Sequence, residues 1–281
     1  MLALTVLMDN TVLTDRFYLA ESGFSLYLDA DGTRILFDCG YSGAYLANAA
    51  RMQIDLRNLD HIVLSHGHLD HTGGLYEYLR MLEEARREGI PHRAPTLVAH
   101  PWCFCPRTKE LGQNIGSPLR TDTLASYLPL TLSDQPVFLS DRLIFLGEIP
   151  RIHPFEDTPL TGRQIHLPDG RVEEDRLRDD TALAYLSSQG LVILTGCAHS
   201  GICNIISRAQ QVSGEDRIHD ILGGLHLIRS DPVRIEGTMS FLQEHGVERL
   251  HPCHCTSFAA RCALAQQFIV EETGVGLRLA S

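Results

Sequence analysis

The sequence predicts an α+β fold in which two β-sheets face each other and helices cover their outer sides. Strand-like runs and turns fill the first forty residues and return after residue 142. Each of these β-rich halves continues into stretches with helical spacing, and each contains a hairpin signal. Two β-rich halves that are each followed by helices fit a sandwich of two sheets with helices outside.

The first half of the chain alternates strands and turns before its helices. The turn 29–32 lies between two strand-like runs and indicates a hairpin. Strands are expected at 4–8, 24–28, 34–37, 61–65 and 96–99, and helices at 44–52 and 75–88. Segment 101–140 has prolines and no regular pattern, so we expect an excursion that shapes or covers the functional site.

The second half repeats this organisation. The turn 187–190 joins two strand-like runs, 181–185 and 191–194, into a second hairpin. Further strands are expected at 142–145, 220–222 and 247–250, and helices at 202–212, 234–245 and 257–268. Because the sequence contains neither a repeat of fixed period nor a low-complexity tract, we expect one domain over 1–281.

The composition argues against several classes of partner. The chain has 281 residues and a formal net charge of -11, and Lys109 is its single lysine, which argues against a nucleic-acid surface. The apolar start lacks the basic flank of a signal peptide, and no stretch reaches the roughly 18 apolar residues of a membrane helix. We therefore expect a soluble cytoplasmic protein with no membrane partner and with its eight cysteines reduced.

One short run carries the strongest chemical signal. His66-Gly-His-Leu-Asp-His71 follows a predicted strand and precedes a glycine pair and a helix. Residues two apart in an extended loop point to the same side, so His66 and His68 can share one metal ion. After the turn, Asp70 and His71 can face a second metal ion. Imidazole and carboxylate ligands suit zinc, iron or manganese. The alternative is a solvated histidine-rich loop.

This run and its flanks, Ser65-His-Gly-His-Leu-Asp-His-Thr-Gly-Gly74, resemble the HxHxDH signature of the metallo-β-lactamase superfamily. The resemblance implies a four-layer αββα sandwich and two divalent metal ions, zinc foremost, with manganese or iron as alternatives. Asp38 resembles the strand-end aspartate that orients the metal loop of the family, although an aspartate before a turn is otherwise ordinary turn chemistry. His254 resembles the last metal histidine of the fold.

One stretch departs from the family pattern. Thr195-Gly-Cys-Ala-His-Ser-Gly201 resembles the strand end that delivers a bridging carboxylate, but Cys197 stands at that position. We expect His199 to bind the metal held by His66 and His68, with Cys197 behind it as a buried thiol. A bridging thiolate from Cys197 remains the alternative.

Other residues are assigned through one branch of the superfamily. Met8-Asp-Asn10 and Gly223-Gly-Leu-His-Leu227 resemble metal-dependent hydrolases related to dihydropterin-ribofuranosylaminobenzene phosphate synthase. His226 is expected to act in catalysis, as a substrate contact or an added ligand, or else to be a packed histidine. Arg151 would hold an anionic group or form a surface ion pair. Asp180 would reach the metal site or lie in a solvated turn.

Together these residues predict a hydrolase. Two metal ions lower the pKa of a shared water and present hydroxide to a carbonyl or phosphoryl centre, with Asp70 holding one metal and orienting the nucleophile. The expected partner is a small anionic substrate, a phosphoester, lactone or thioester, and a homo-oligomer is left open. Two alternatives remain: a synthase that forms a carbon–nitrogen bond on a pterin precursor, and a metal-binding sensor with little catalysis.

Overall fold

A computed structural model describes residues 1–157, 162–228 and 232–280. The strands are β1 Leu2–Met8, β2 Ser25–Ala30, β3 Thr33–Phe37, β4 His61–Val63, β5 Thr96–Ala99, β6 Arg107–Thr108, β7 Leu130–Leu132, β8 Val137–Phe138, β9 Leu143–Phe145, β10 Gln164–His166, β11 Val172–Glu174, β12 Ala182–Ser187, β13 Gly190–Thr195, β14 Ile218–Gly224, β15 Arg249–Cys253, β16 Ile269–Val270 and β17 Arg278–Ala280. The helices are α1 Ala44–Arg51, α2 Leu69–Thr72, α3 Leu75–Glu88, α4 Thr121–Ala125, α5 Ile202–Ser213, α6 Pro232–Glu244 and α7 Phe258–Leu264, with 3₁₀ turns at Leu56–Asn58 and Glu110–Gly112.

The strands form two large sheets and one small sheet. The first large sheet has the order β17-β1-β2-β3-β4-β5-β7, and the second has the order β16-β15-β14-β13-β12-β9-β8. Each combines antiparallel strands with a parallel run, which is β3-β4-β5-β7 in the first sheet and β13-β14-β15-β16 in the second. The small sheet has the order β11-β10-β6. Parallel strands end at a common edge, so the residues that follow them are brought together.

Alternation along the central strands explains the layers. In β13, Val192 and Leu194 belong to the core between the two sheets, whereas Leu191 and Ile193 belong to the core beneath α5. In β3, Phe37 points into the inter-sheet core and Leu36 packs with the residues of α1 and α3. Strands that are apolar on both faces must be covered on both faces. The predicted αββα sandwich is confirmed.

Helix α3 illustrates how the outer layer forms. Its buried residues recur every three or four positions, which gives one apolar stripe toward the first sheet: Leu75, Tyr78, Leu79, Leu82 and Ala85. The helix ends at Gly89, whose φ of 68° is the left-handed conformation that glycine adopts most easily. The predicted bounds of this helix, and those of β5, agree with the structure.

The structure also contains elements that the pattern does not predict. Strands β10, β11, β16 and β17 have only two or three residues each, which is too short for alternation to be read. Segment 101–140 is less irregular than expected, because β7 pairs with β5 at the edge of the first sheet and β8 pairs with β9 in the second. Helix α7 ends at Leu264, earlier than predicted.

Two general expectations can be compared with the described residues. None of the helices there combines the length and the apolar character needed to cross a membrane. All eight cysteines are free thiols, as expected, and Cys262 alone among them is exposed. The cytoplasmic location and the single-domain organisation stay predictions.

The inter-sheet core predicts that substituting two different phenylalanines will change the free energy of unfolding by very different amounts. Phe145 is fully buried between the sheets, whereas the Phe17 side chain is 92% exposed. We expect Phe145→Ala to lower the free energy of unfolding by about 3–5 kcal/mol because it leaves a cavity. The matched control Phe17→Ala should change it by less than ~0.5 kcal/mol. Chemical denaturation at constant metal concentration measures both, and equal losses would contradict this description of the core.

Candidate metal centre

The residues predicted to bind metal meet at one edge of the sandwich. Each follows the carboxyl end of a strand: Asp38 follows β3, the run His66–His71 follows β4, Cys197 and His199 follow β13, His226 follows β14, and His254 follows β15. The parallel runs of both sheets therefore deliver residues that are far apart in sequence to a single place.

One group of ligand atoms contains three histidines and a cysteine. The Nε2 atom of His66 lies 3.0 Å from Nδ1 of His68. The His199 ring is centred 4.7 Å from the His66 ring and 4.9 Å from the His68 ring. One ligand atom from each of His66, Cys197 and His199 lies within 4.8 Å of the others. Two nitrogens on one tetrahedral zinc ion would be about 3.3 Å apart, so the spacing of His66 and His68 fits a shared metal.

A second group lies beside the first. The Nε2 atoms of His71 and His254 are 3.1 Å apart, and Sγ of Cys197 is 3.3 Å from Nε2 of His71. The Oδ2 atom of Asp70 is 3.8 Å from Nε2 of His71 and 3.6 Å from Nε2 of His254. Cys197 belongs to both groups, because its sulfur lies within 4.8 Å of ligand atoms in each, and whether it binds metal or stays behind His199 as a buried thiol remains a prediction.

The donor atoms of both groups fit divalent metal ions. Nε2 of His68 and both ring nitrogens of His199 are buried, and no hydrogen-bond partner for them occurs among the described residues. Burial lowers the pKa of His66, His68 and His199 well below the usual value, so their imidazoles are neutral and carry a free lone pair. A buried nitrogen without a partner is costly, and a metal ion would satisfy one of the two nitrogens of His199, while His68 would bind through Nδ1, the atom next to His66. The roles of individual residues as ligands stay predictions.

Asp38 organises the loop that carries the first histidines. Its Oδ1 atom accepts a 2.7 Å hydrogen bond from the backbone N–H of Ser65, and its Oδ2 atom accepts one of 2.7 Å from the Ser65 hydroxyl. Oδ2 also accepts the Nδ1–H of His71 at 2.6 Å. Burial alone would lower the pKa of His71, but the carboxylates of Asp38 and Asp70 outweigh it and raise the value to about 9. Asp38 therefore fixes the ring so that Nε2 faces Cys197 and His254.

His254 is held in the same manner by residues at the end of β1. The backbone N–H of His254 donates to Oδ1 of Asp9 at 2.8 Å. Its Nδ1 lies 3.0 Å from Oδ1 of Asn10, which leaves Nε2 turned toward His71. Burial lowers the pKa of His254 to about 3. Asp9 and Asn10 thus orient a ring from the opposite end of the chain.

The loop after β13 is fixed by Asp180 and Arg151. Asp180 is buried, and its Oδ2 atom accepts the backbone N–H of Ser200 at 2.8 Å and the Ser200 hydroxyl. Burial raises the pKa of Asp180 to about 6. Arg151 donates to the carbonyl oxygen of His199 at 3.3 Å and to that of Arg176 at 2.6 Å. Asp180 is thus not in a solvated turn, and the predicted substrate contact of Arg151 stays a prediction.

A buried ion network that the sequence does not reveal supports the metal loop. Arg107 is fully buried, with Nη2 2.6 Å from Oδ1 of Asp179 and Nε 3.0 Å from Oδ2 of Asp175. The other oxygen of Asp179 accepts the backbone N–H of Gly67 at 2.8 Å. A Cβ atom on Gly67 would lie 1.9 Å from the carbonyl oxygen of Cys103, so only glycine fits there. Asp179 stands in a pair of adjacent acids that is visible in the sequence, but no local pattern links it to Arg107, which lies far earlier in the chain.

His226 lines the cavity above the metal groups. Its ring is centred 4.2 Å from the His199 ring, and burial lowers its pKa to about 4. Its backbone N–H donates to Sγ of Cys255 at 3.3 Å, and that thiol donates to the carbonyl oxygen of Cys197. The cavity measures about 320 Å³ and is also lined by His68, His199 and His254. His226 lines this cavity, and its catalytic role stays a prediction.

Several of these positions have unusual backbone conformations. Four residues other than glycine at this edge have positive φ angles: Asp38 at 59°, Ala198 at 55°, His226 at 49° and His254 at 51°. Such conformations cost roughly 1–3 kcal/mol each and are concentrated at functional sites. All four follow the end of a strand, so the backbone turns sharply where the side chains must converge.

Known proteins resemble this chain in sequence and in fold. The family model of the metallo-beta-lactamase superfamily matches residues 19–105. A relative from Methanocaldococcus jannaschii, 7,8-dihydropterin-6-methyl-4-(beta-D-ribofuranosyl)-aminobenzene-5'-phosphate synthase, is 32% identical over 262 residues, or 89% of this chain and 85% of the relative.

Solved structures give the same result. Tm1679, a metal-dependent hydrolase of the beta-lactamase superfamily, has a TM-score of 0.83 at 26% identity, covering 100% of this chain and 99% of that one. Zn²⁺-bound PqqB from Methylobacterium extorquens has a TM-score of 0.53 at 12% identity, covering 99% and 100%, which shows a shared fold. With its αββα sandwich, its HxHxDH loop and these similarities, the chain belongs to the metallo-β-lactamase superfamily.

Proposed function

We propose that this protein is a hydrolase that uses two divalent metal ions to act on a small anionic substrate. The observation that carries the proposal is the pair of ligand groups that meet at Cys197 beneath an open cavity. His66, His68 and His199 would hold one metal ion, and Asp70, His71 and His254 would hold the other. Cys197 would bind between the two groups, because its sulfur belongs to both. This arrangement gives the thiol a larger role than the sequence pattern favours.

Zinc suits this donor set best, since imidazole and thiolate are its common ligands, while manganese and iron remain alternatives. Two such ions would activate water as a nucleophile and stabilise negative charge on the substrate. No Gly-x-Ser-x-Gly segment in the sequence offers a competing covalent nucleophile.

The chain itself would contribute orientation and proton transfer. Asp38 and Asn10 hold the Nδ1 side of two ligand rings, so the Nε2 atoms stay aimed at the centre. His226 lies beside His199 in the cavity, and its lowered pKa keeps the imidazole neutral near pH 7. A neutral ring in this place can accept a proton from the reacting group and pass it to the leaving group.

A second candidate function is a synthase that forms a carbon–nitrogen bond on a pterin precursor. It is favoured by the relative from Methanocaldococcus jannaschii, whose 32% identity extends over most of both chains. Both functions would use the same cavity and ligands. Assays with a pterin precursor and with hydrolysable esters separate them, because only the synthase joins two substrates.

The first prediction concerns activity. We expect the protein loaded with zinc or manganese to hydrolyse at least one member of a panel of phosphoesters, lactones and thioesters. EDTA should abolish turnover and added metal should restore it, since hydrolysis would depend on the metal ions. A protein that holds two metals and hydrolyses none of the panel, but joins pterin and arylamine precursors, would be the synthase. One weakly held metal and no activity would favour a sensor.

The second prediction concerns the histidine ligands. We expect His66→Ala and His254→Ala to weaken metal binding by more than ~100-fold, each at a different metal position. Far-ultraviolet circular dichroism should stay unchanged, because the sandwich core lies elsewhere. The control His92→Ala removes an exposed histidine whose Nδ1 bonds to the carbonyl oxygen of Ile90, and this variant should bind metal normally. Measured contents of two metals per chain in both ligand variants would refute the assignment.

The third prediction concerns the thiol. If Cys197 binds metal, the cobalt-loaded protein should have a near-ultraviolet absorption band from thiolate-to-cobalt charge transfer, and Cys197→Ser should remove it. The matched control Cys262→Ser changes an exposed cysteine and should keep the band. If the band persists in Cys197→Ser, or never forms, Cys197 does not bind the metal, and the prediction of a buried thiol behind His199 is supported instead.

A further inference from the structure

A second, larger cavity adjoins the metal centre. It measures about 530 Å³, a size that suits a small molecule. His68, Asp70 and Arg163 line both this cavity and the one above the metal groups, so the two cavities adjoin beside the same centre. Lys109 also lines the larger cavity. This cavity therefore combines residues of the metal loop with two cations.

These two cations are neighbours across the small sheet. Strands β6 and β10 are antiparallel, with Thr108 opposite Gln164, and one further step in this register sets Lys109 opposite Arg163. Like charges directly opposite each other on adjacent strands are destabilising unless something compensates them. Within the described part of the chain, no carboxylate forms an ion pair with either cation.

Neighbouring acidic side chains do not form ion pairs with these two cations. Asp70 lines the same cavity, but its Oδ2 atom lies 3.8 Å from Nε2 of His71 and 3.6 Å from Nε2 of His254, within the second ligand group. Glu110, Glu173 and Glu174 line a neighbouring cavity of about 510 Å³ that Lys109 and Arg163 also border. Glu173 pairs with Arg171 at 2.7 Å instead. Two cations are thus left facing a cavity in a chain whose net charge is -11.

The backbone fixes these cations relative to the metal loop. Segment 113–117 folds back along β6, where the N–H of Ile115 donates to the carbonyl oxygen of Arg107 at 3.1 Å. The same segment bonds to the metal loop: the N–H of Leu69 donates to Ile115, and the N–H of Ser117 donates to Gly67. Strand β6, which Lys109 follows directly, is therefore tied to the loop that carries His66 and His68.

We infer that Lys109 and Arg163 form an anion subsite that holds a phosphate group of the substrate while its reactive bond lies at the metal centre. The part of this inference that puts the reactive bond at the metal centre rests on the proposed function. A lysine and an arginine match a phosphate dianion, since the guanidinium donates two parallel hydrogen bonds and the ammonium adds a second positive charge. The substrate class is a small molecule with a phosphate group.

The single lysine makes the subsite directly measurable. The side-chain amine of Lys109 and the terminal amine of Met1 are the amines of the sequence, so amine acetylation is read at these two sites and Met1 serves as an internal control. We expect saturating inorganic phosphate to slow acetylation of Lys109 by about 10-fold and to leave Met1 unaffected, as read by peptide mass spectrometry. Acetate at the same ionic strength should give no protection, because one carboxylate charge matches two cations poorly.

Substitution of Arg163 tests whether it binds the phosphate that protects Lys109 from acetylation. Arg163→Met should raise the phosphate concentration needed for half-protection by roughly 10-fold, which corresponds to loss of a charged hydrogen bond. Arg120→Met is the matched control, since this exposed arginine pairs with Asp122 away from both cavities. Half-protection at an unchanged phosphate concentration in Arg163→Met would overturn the inference. Equal protection by acetate would overturn the assignment to phosphate.

A last experiment distinguishes phosphate binding at the subsite from phosphate binding at the metal ions. In His66→Ala, and in wild-type protein stripped of metal with EDTA, protection of Lys109 by phosphate should persist. If protection disappears in both, the metal ions hold the phosphate and the inference fails. Protection without hydrolysis of any member of the panel of phosphoesters, lactones and thioesters would support the subsite and contradict the proposed function.

Discussion

The buried carboxylate of Asp38 joins the end of β3 to both ends of the metal loop, and the geometry of the centre depends on it. One oxygen accepts the backbone N–H of Ser65, and the other accepts the Ser65 hydroxyl and Nδ1–H of His71. The Ser65 oxygen also lies 2.9 Å from Nδ1 of His66. Two ligand rings are thus oriented from one anchor. Gly196 packs against Asp38 and Ser65, and only glycine fits there because a Cβ atom would lie 2.1 Å from Oγ of Ser65.

The centre is built where the backbone is strained. Asp38, Ala198, His226 and His254 all take left-handed conformations, each at a cost of roughly 1–3 kcal/mol. The strands that precede them belong to the inter-sheet core and the two outer cores. Burial of many apolar side chains, at about 25 cal/mol per Å², offsets this local cost. The fold therefore holds in place turns that a short peptide would not adopt.

The sequence predicts the parts of this molecule that are local. The run from His66 to His71 is contiguous, and β13 and α3 carry clear patterns, so the layers and the first candidate ligands can be predicted from the sequence alone. The positions of Arg107 and Arg163 cannot be predicted in this way. Arg107 lies in β6 and Arg163 directly precedes β10, and these strands of two or three residues are too short to leave a periodic signal. Alternation along a strand also does not show which of Cys197 and His199 points toward the ligand groups. The left-handed turn at Ala198 brings both toward the ligand groups, which alternation alone does not predict.

The spacing of His71 and His254 has a consequence for how the protein matures. Their Nε2 atoms face each other across 183 residues of sequence, and they come from different sheets. An ion bound by both rings would bridge the amino-terminal and carboxyl-terminal halves and would bind the unfolded chain far more weakly. By mass action, free metal would then shift the equilibrium toward the assembled sandwich. The fraction of chains that are folded would then rise with the concentration of free metal.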